Sequence, residues 1–185
     1  GDRLQQGALT DVGGKGLFTK EIEEAMLENS IDIAVHSMKD VPTWFPDGLV
    51  IDCVLPREDP RDALIAPGYA TIADLPPGIT VGTASLRRKA LLLHQRPDLK
   101  VEPLRGNVDT RLGKVSAGEV DATFLALAGL IRLGRDDVGA TPVAPEEMLP
   151  AVCQGIVGVE RRADDDRIAA LLAPLNDAET ARRAA

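Results

Sequence analysis

The chain has 185 residues, a formal net charge of −8, 44% hydrophobic residues and only 3% aromatic ones. That length can bury a core of Ala, Val, Leu and Ile in one large domain or two small ones. The acidic balance argues against a nucleic-acid surface, no apolar run approaches the roughly 18 residues that span a bilayer, and Gly1-Asp2-Arg3 opens no signal peptide. A cytoplasmic protein without membrane or nucleic-acid partners is therefore expected. Cys53 and Cys153 lie far apart with no second ligand near either, so neither a disulfide framework nor a metal site is expected. Arginine outnumbers lysine 15 to 6, and arginine is suited to bidentate recognition of carboxylates. Coding bias toward Arg and Ala is the competing account, and it is taken to cover Arg161, Arg162, Arg167, Arg182 and Arg183.

Gly13-Gly14-Lys15-Gly16 precedes an amphipathic helix over residues 17–29, apolar at Leu17, Phe18, Ile22, Ala25 and Met26. Such a turn either holds an anion on its N–H groups, with Lys15 adding charge, or is a plain tight turn, and it lacks a Walker pattern. The run Ile33-Ala34-Val35 reads as a buried strand that gives way at His36 to a polar tip of Ser37, Lys39 and Asp40, closed by Pro42. An ammonium and a carboxylate thus share the C-terminal end of a strand, the edge at which open α/β sheets take ligands, unless they belong to a solvated turn.

Strands over residues 49–55 and 62–66 follow, and the charged break between them is where the chain passes to a second lobe. A strand at 79–81 then leads to Gly82-Thr83-Ala84-Ser85 and a helix with Arg87 and Arg88 in its first turn. The hydroxyls of Thr83 and Ser85 can cap that helix and face a ligand. Cations are disfavoured at the positive end of the helix macrodipole, so the two arginines either accompany an anion or are solvated. A strand over 99–104 opens onto Arg105-Gly106-Asn107, with Asn107 as N-cap and Arg111 one turn further on, so that Arg105 and Arg111 can converge. A strand over 119–126 precedes a short helix that carries Arg132 and ends at Gly134. The echo between residues 30–35 and 119–124 suggests two similar α/β lobes with a cleft between them. A buried strand within 149–160 returns to the first lobe after Cys153, read as a small buried thiol. A helix over 164–175 and an Ala-rich helical end complete the chain.

Six segments resemble the porphobilinogen deaminase (hydroxymethylbilane synthase) family, in order over nearly the whole chain. They are Gly13-Gly14-Lys15-Gly16-Leu17-Phe18, Ala34-Val35-His36-Ser37-Met38-Lys39-Asp40-Val41-Pro42, Arg57-Glu58-Asp59-Pro60-Arg61-Asp62, Gly82-Thr83-Ala84-Ser85-Leu86-Arg87-Arg88, Leu104-Arg105-Gly106-Asn107-Val108-Asp109-Thr110-Arg111 and Leu149-Pro150-Ala151-Val152-Cys153-Gln154-Gly155. The resemblance implies an α/β fold of two type II periplasmic-binding-protein-like lobes with a central cleft, and a third α+β domain missing from this chain. On that basis residues 1–57 are the first lobe, 58–148 the second, 149–176 the return to the first, and 177–185 the start of a connection to the third. The implied reaction joins four porphobilinogen units head to tail on a dipyrromethane cofactor, releasing ammonia each time. Its partners are porphobilinogen and the growing polypyrrole chain, handled by a monomer. Asp40 would be the catalytic carboxylate. Lys15, Lys39, Ser85, Arg87, Arg88, Arg105, Arg111, Arg132 and Gln154, with Thr83 and Asn107 from the two loop mouths, would bind cofactor or substrate.

The family attaches its cofactor to a cysteine in a Gly-Gly-Cys loop that neither Cys53 nor Cys153 matches, and relatives often carry glycine at position 153. The chain therefore reads as a fragment that also lacks the family's opening strand and helix, and is expected to be inactive alone. The rival readings are a non-catalytic anion-binding module of the periplasmic-binding type and an effector-sensing regulatory domain.

Overall fold

Two sheets organise residues 17–184, the part of the chain described by this computed structural model. The elements in chain order are α1 (Leu17–Leu27), β1 (Ile33–Ser37), β2 (Leu49–Val54), β3 (Asp62–Ile65), β4 (Thr80–Gly82), α2 (Leu86–Gln95), β5 (Lys100–Glu102), α3 (Val108–Ser116), β6 (Ala122–Ala126), α4 (Leu127–Arg132), β7 (Thr141–Pro142), β8 (Val157–Arg162), α5 (Asp166–Leu172) and α6 (Ala178–Ala184). The chain divides into two compact units. Unit 1 holds the described residues up to Glu58 and those from Cys153 onward, and unit 2 holds Asp59–Val152.

In unit 2 the sheet order is β5-β4-β6-β3-β7. Strand β4 runs parallel to β5 and β6, whereas β3 runs antiparallel to β6 and β7. From β4 the chain crosses through α2 to β5 on one side, then returns through α3 to β6 on the other. That reversal makes the carboxyl end of β4 a topological switch point, the place where such sheets take ligands. Strand period sorts the core into two faces. Leu64, Val81, Leu92, Ala122 and Phe124 pack on the α2 side, and Ala63, Ile65, Leu112, Leu125 and Leu130 pack on the side of α3 and α4. All four residues of β3 are buried, including its first, Asp62.

In unit 1 β8 is the central strand, antiparallel to β1 on one side and β2 on the other. The run Ile33-Ala34-Val35, predicted as buried, lies in a strand at the edge of this sheet among the described residues. Ala34 faces the core at 7% exposure, while Ile33 and Val35 are 40% and 65% exposed. An unbroken apolar run does not tell one covered face from two, and here the period of 2 buries only one. The helix expected over 164–175 ends as α5 and tightens into a 3-10 turn at Pro174. Within residues 177–185, read as the start of a linker or helix, Ala178–Ala184 form α6 beside β2. The Val54 N–H donates to Asn176 Oδ1 at 3.0 Å, and the Arg57 N–H donates to Thr180 Oγ1 at 2.9 Å.

Arg161 and Arg162, attributed above to coding bias, are structural. Arg161 pairs with Asp52 and donates to the carbonyls of Arg162 and Ala163. Arg162 donates to the carbonyls of Met26 at 3.0 Å and Ile31 at 2.7 Å, closing the C-terminal end of α1, and pairs with Asp32 and Asp165. Among the described residues no helix is long and apolar enough to cross a membrane.

Candidate functional site

The first cluster lies in unit 1, where β1 runs out into a 3-10 turn over Met38–Asp40. The Met38 N–H donates to the Ile156 carbonyl at 3.0 Å, and the Val41 N–H to the Met38 carbonyl at 3.3 Å. Lys39 Nζ donates to Gln154 Oε1 at 3.4 Å. Gln154 is 0% exposed, and its own carbonyl accepts from Arg57 Nε at 3.0 Å. Gly155 follows with a φ of +89°, its carbonyl accepting from the Glu58 N–H at 3.0 Å. A Cβ at Gly155 would run into the Glu58 carbonyl, so only glycine fits there. Cys153 adopts a φ of +57° and is half-buried rather than the enclosed thiol expected. That left-handed backbone favours glycine, the residue the resemblance puts at this position in relatives. Asp40 is exposed, and its carboxylate makes no hydrogen bond or ion pair among the described residues.

The second cluster lies in unit 2 at the switch point, where the parallel strands β4 and β5 end at one edge. Thr83 is buried. Its N–H donates to the Glu102 carbonyl at 2.8 Å, and its Oγ1 accepts from the Ser85 N–H at 3.2 Å. Ser85 caps α2, accepting from the Arg88 N–H at 3.4 Å. Asn107 caps α3, its Oδ1 accepting from both the N–H and the Oγ1 of Thr110 at 2.8 Å. Arg111 folds back so that its Nε donates to the Gly106 carbonyl at 2.8 Å. Arg105 makes no hydrogen bond or ion pair among the described residues, and Arg132 is exposed at the end of α4. Lys15 lies outside the described residues.

The two arginines at the start of α2 do meet an anion, and it is the protein's own. Asp62, at 0% exposure, accepts from Arg88 Nε at 3.1 Å and Nη2 at 2.7 Å through Oδ1, while Arg87 Nη1 stands 2.7 Å from its Oδ2. Arg88 also donates to the Phe124 carbonyl at 2.7 Å, so it is held from within, at 5% exposure. Arg87 remains partly exposed and donates to the Leu149 carbonyl at 2.6 Å. Two guanidiniums to one carboxylate leave the cluster net positive. Asp62 carries no role in the sequence analysis, although a lone carboxylate in the run Asp62-Ala63-Leu64-Ile65-Ala66 demands a buried cation. Close by in sequence, hydrogen bonds from Arg61 hold Asp59 below the usual carboxylate range. Among the described residues no group of three or more His, Cys, Asp or Glu is placed to hold a metal ion.

A family model described as "Porphobilinogen deaminase, dipyromethane cofactor binding domain" matches residues 1–170. The chain belongs to the porphobilinogen deaminase family. Curated porphobilinogen deaminases of Paracoccus denitrificans and Nitrobacter winogradskyi are each 59% identical to it, over 99% and 97% of this chain. The chain spans 58% and 57% of the length of those two proteins. Among solved structures, the periplasmic aliphatic sulphonate binding protein SsuA of Escherichia coli superposes with a TM-score of 0.51 at 20% identity, covering 87% of this chain and 55% of that one. The chain thus has an α/β fold of the type II periplasmic-binding-protein kind, as expected from its sequence.

Proposed function

We propose that the complete gene product carrying this chain is a hydroxymethylbilane synthase. It is a transferase of tetrapyrrole and haem biosynthesis that joins four porphobilinogen units head to tail with release of ammonia, acting as a cytoplasmic monomer. The observation that carries the reading is Asp40. In a chain of this family, it is the carboxylate set at a strand end, exposed and uncommitted among the described residues, next to an ammonium steadied by the buried Gln154.

Porphobilinogen carries acetate and propionate groups, so the growing product gathers carboxylates. The donor set of unit 2 suits them. Arg105 has no internal partner among the described residues, Arg87 is only partly spent on Asp62, and both sit at the ligand edge of the sheet. Those residues of unit 2, with Ser85, Arg111 and Arg132, would hold carboxylates of a dipyrromethane, and Lys39 is the corresponding cation proposed in unit 1. When bound, that cofactor supplies the pyrrole from which the chain starts. Thr83, Asn107 and Arg88 act one step back, fixing the loops and the Arg87 guanidinium. Lys15 completes the proposed set from the glycine-rich turn. Cys53 is an unsuitable attachment point for a cofactor, because burial first and Asp52 second push its thiol up.

Asp40 accepts a hydrogen bond from the pyrrole N–H of the incoming unit. Its negative charge stabilises the cation left when the C–N bond electrons depart with ammonia. The net positive charge at the switch point of unit 2 suits side-chain carboxylates, groups that take no part in bond breaking. In the complete gene product, Asp40→Ala should lower turnover about 100-fold or more while substrate binding survives. Unchanged turnover would overturn the assignment. A wild-type protein that binds porphobilinogen without consuming it would point to an anion-binding module instead.

A further inference from the structure

Beneath the Lys39-Asp40 turn lies a buried ionisable couple that the chemistry above does not use. His36 Nε2 on β1 stands 2.6 Å from Glu160 Oε2 on β8, with the two side chains 9% and 1% exposed. In the β1–β8 register His36 faces Gly158 and Ala34 faces Glu160, so the couple bridges the strands diagonally on one face. That face carries the apolar cluster of Met26, Ala34, Leu49 and Ile22 from α1 and the sheet. Glu160 Oε1 has no hydrogen-bond partner among the described residues. Such a couple carries a desolvation penalty that two apolar side chains would not, so stability alone does not account for it.

Its neighbours suggest what does. Gly158, opposite His36, leaves the space that the Met38 thioether fills, since a Cβ there would overlap Met38 Sδ. The Met38 N–H is bonded to Ile156 of the same segment at 3.0 Å. Ile156, Gly158 and Glu160 thus each hold one feature of residues 36–38, immediately before Lys39 and Asp40.

We propose that His36 and Glu160 are positioning residues whose hydrogen bond fixes the end of β1 against β8 and so sets the orientation of Lys39 and Asp40. The proposal rests on the role assigned to Asp40 above. Burial pushes the Glu160 carboxyl up, His36 draws it back, and Glu23 on α1 raises it further.

The test replaces Glu160 in the complete gene product by Leu, which keeps the packing and loses the bond, and by Gln, which keeps both. Glu160→Leu leaves the buried His36 Nε2 without that partner and should lower the melting temperature while the protein stays folded, lower kcat about 10- to 100-fold with KM for porphobilinogen within about twofold, and speed amide exchange at Met38 and Val41. Glu160→Gln should restore both readouts to within about twofold of wild type. Wild-type kcat and unchanged Met38 exchange in Glu160→Leu would overturn the proposal. If Glu160→Leu does not fold, His36→Phe, which removes the bond from the other strand, must give the same loss, and its failure to do so overturns the proposal equally. Exchange is read without turnover. A wild-type protein lacking synthase activity, but with a turn loosened by Glu160→Leu, would therefore defeat the enzymatic reading and leave the positioning one standing.

Discussion

Asp62 in unit 2 and Glu160 in unit 1 are buried alike, at 0% and 1% exposure, yet their partners differ in kind. Asp62 faces the two guanidiniums of Arg87 and Arg88. Glu160 faces one imidazole. A carboxylate under two guanidiniums is a clustered ion pair around which a sheet edge is built. A carboxylate beside a histidine is an adjustable bond, suited to setting a neighbouring turn.

The strongest way to break that contrast is to remove both charges in turn. Asp62→Ala strands the buried Arg88 and should destabilise the chain by about 3–5 kcal/mol in urea unfolding. Glu160→Gln keeps its hydrogen bond and should change stability by less than about 1 kcal/mol. Equal losses would abolish the distinction. The next effect separates two left-handed glycines. Gly155→Ala drives a Cβ into the Glu58 carbonyl and should destabilise unit 1 by roughly 1–3 kcal/mol. Gly68→Ala, at a φ of +86° in unit 2 with nothing within 4 Å, should lose only about 1 kcal/mol in the same assay.

Helix caps give a smaller signal within unit 2. Asn107→Ala loses two bonds of 2.8 Å and should cost about 1 kcal/mol, whereas Ser85→Ala loses one of 3.4 Å and should cost less. The smallest effect is a pH slope. Asp165 is held below the ordinary carboxylate range by the Ile168 N–H and then by Arg162. Its folded value lies below its unfolded one, so its contribution is complete above about pH 5 and is lost as pH falls through the lowered value. Asp165→Asn should flatten that acid limb in thermal melts between about pH 5 and 3. Glu160, raised on folding, has the opposite sign. Its charged form weakens the fold as pH climbs from the ordinary Glu range through the raised value, and Glu160→Gln should remove that slope.

Features of the site governed by local rules were legible in the sequence. Ser85 and Asn107 were recognisable as caps because capping needs only a side-chain oxygen three residues before an N–H. The family motifs singled out Asp40, Lys39 and the arginine turns as candidates. What the sequence hid depends on long-range pairing. Asp62 meets Arg88 across 26 residues, and His36 meets Glu160 across 124. Arg161 and Arg162 look like a surface pair until Asp52 and the end of α1 come to them. The exposed face of β1 was hidden for another reason, since Ile33 and Val35 have the composition of a covered strand.

Cys153 and Gly155, with φ of +57° and +89°, enclose the buried Gln154 between two left-handed residues. The substitutions open to position 153 are therefore filtered by backbone torsion before side-chain chemistry counts. Glycine and asparagine pass easily, while valine, isoleucine and threonine are shut out. Drift through this segment is channelled into a narrow set of small or polar residues, and the thiol found there needs no reactivity of its own to persist.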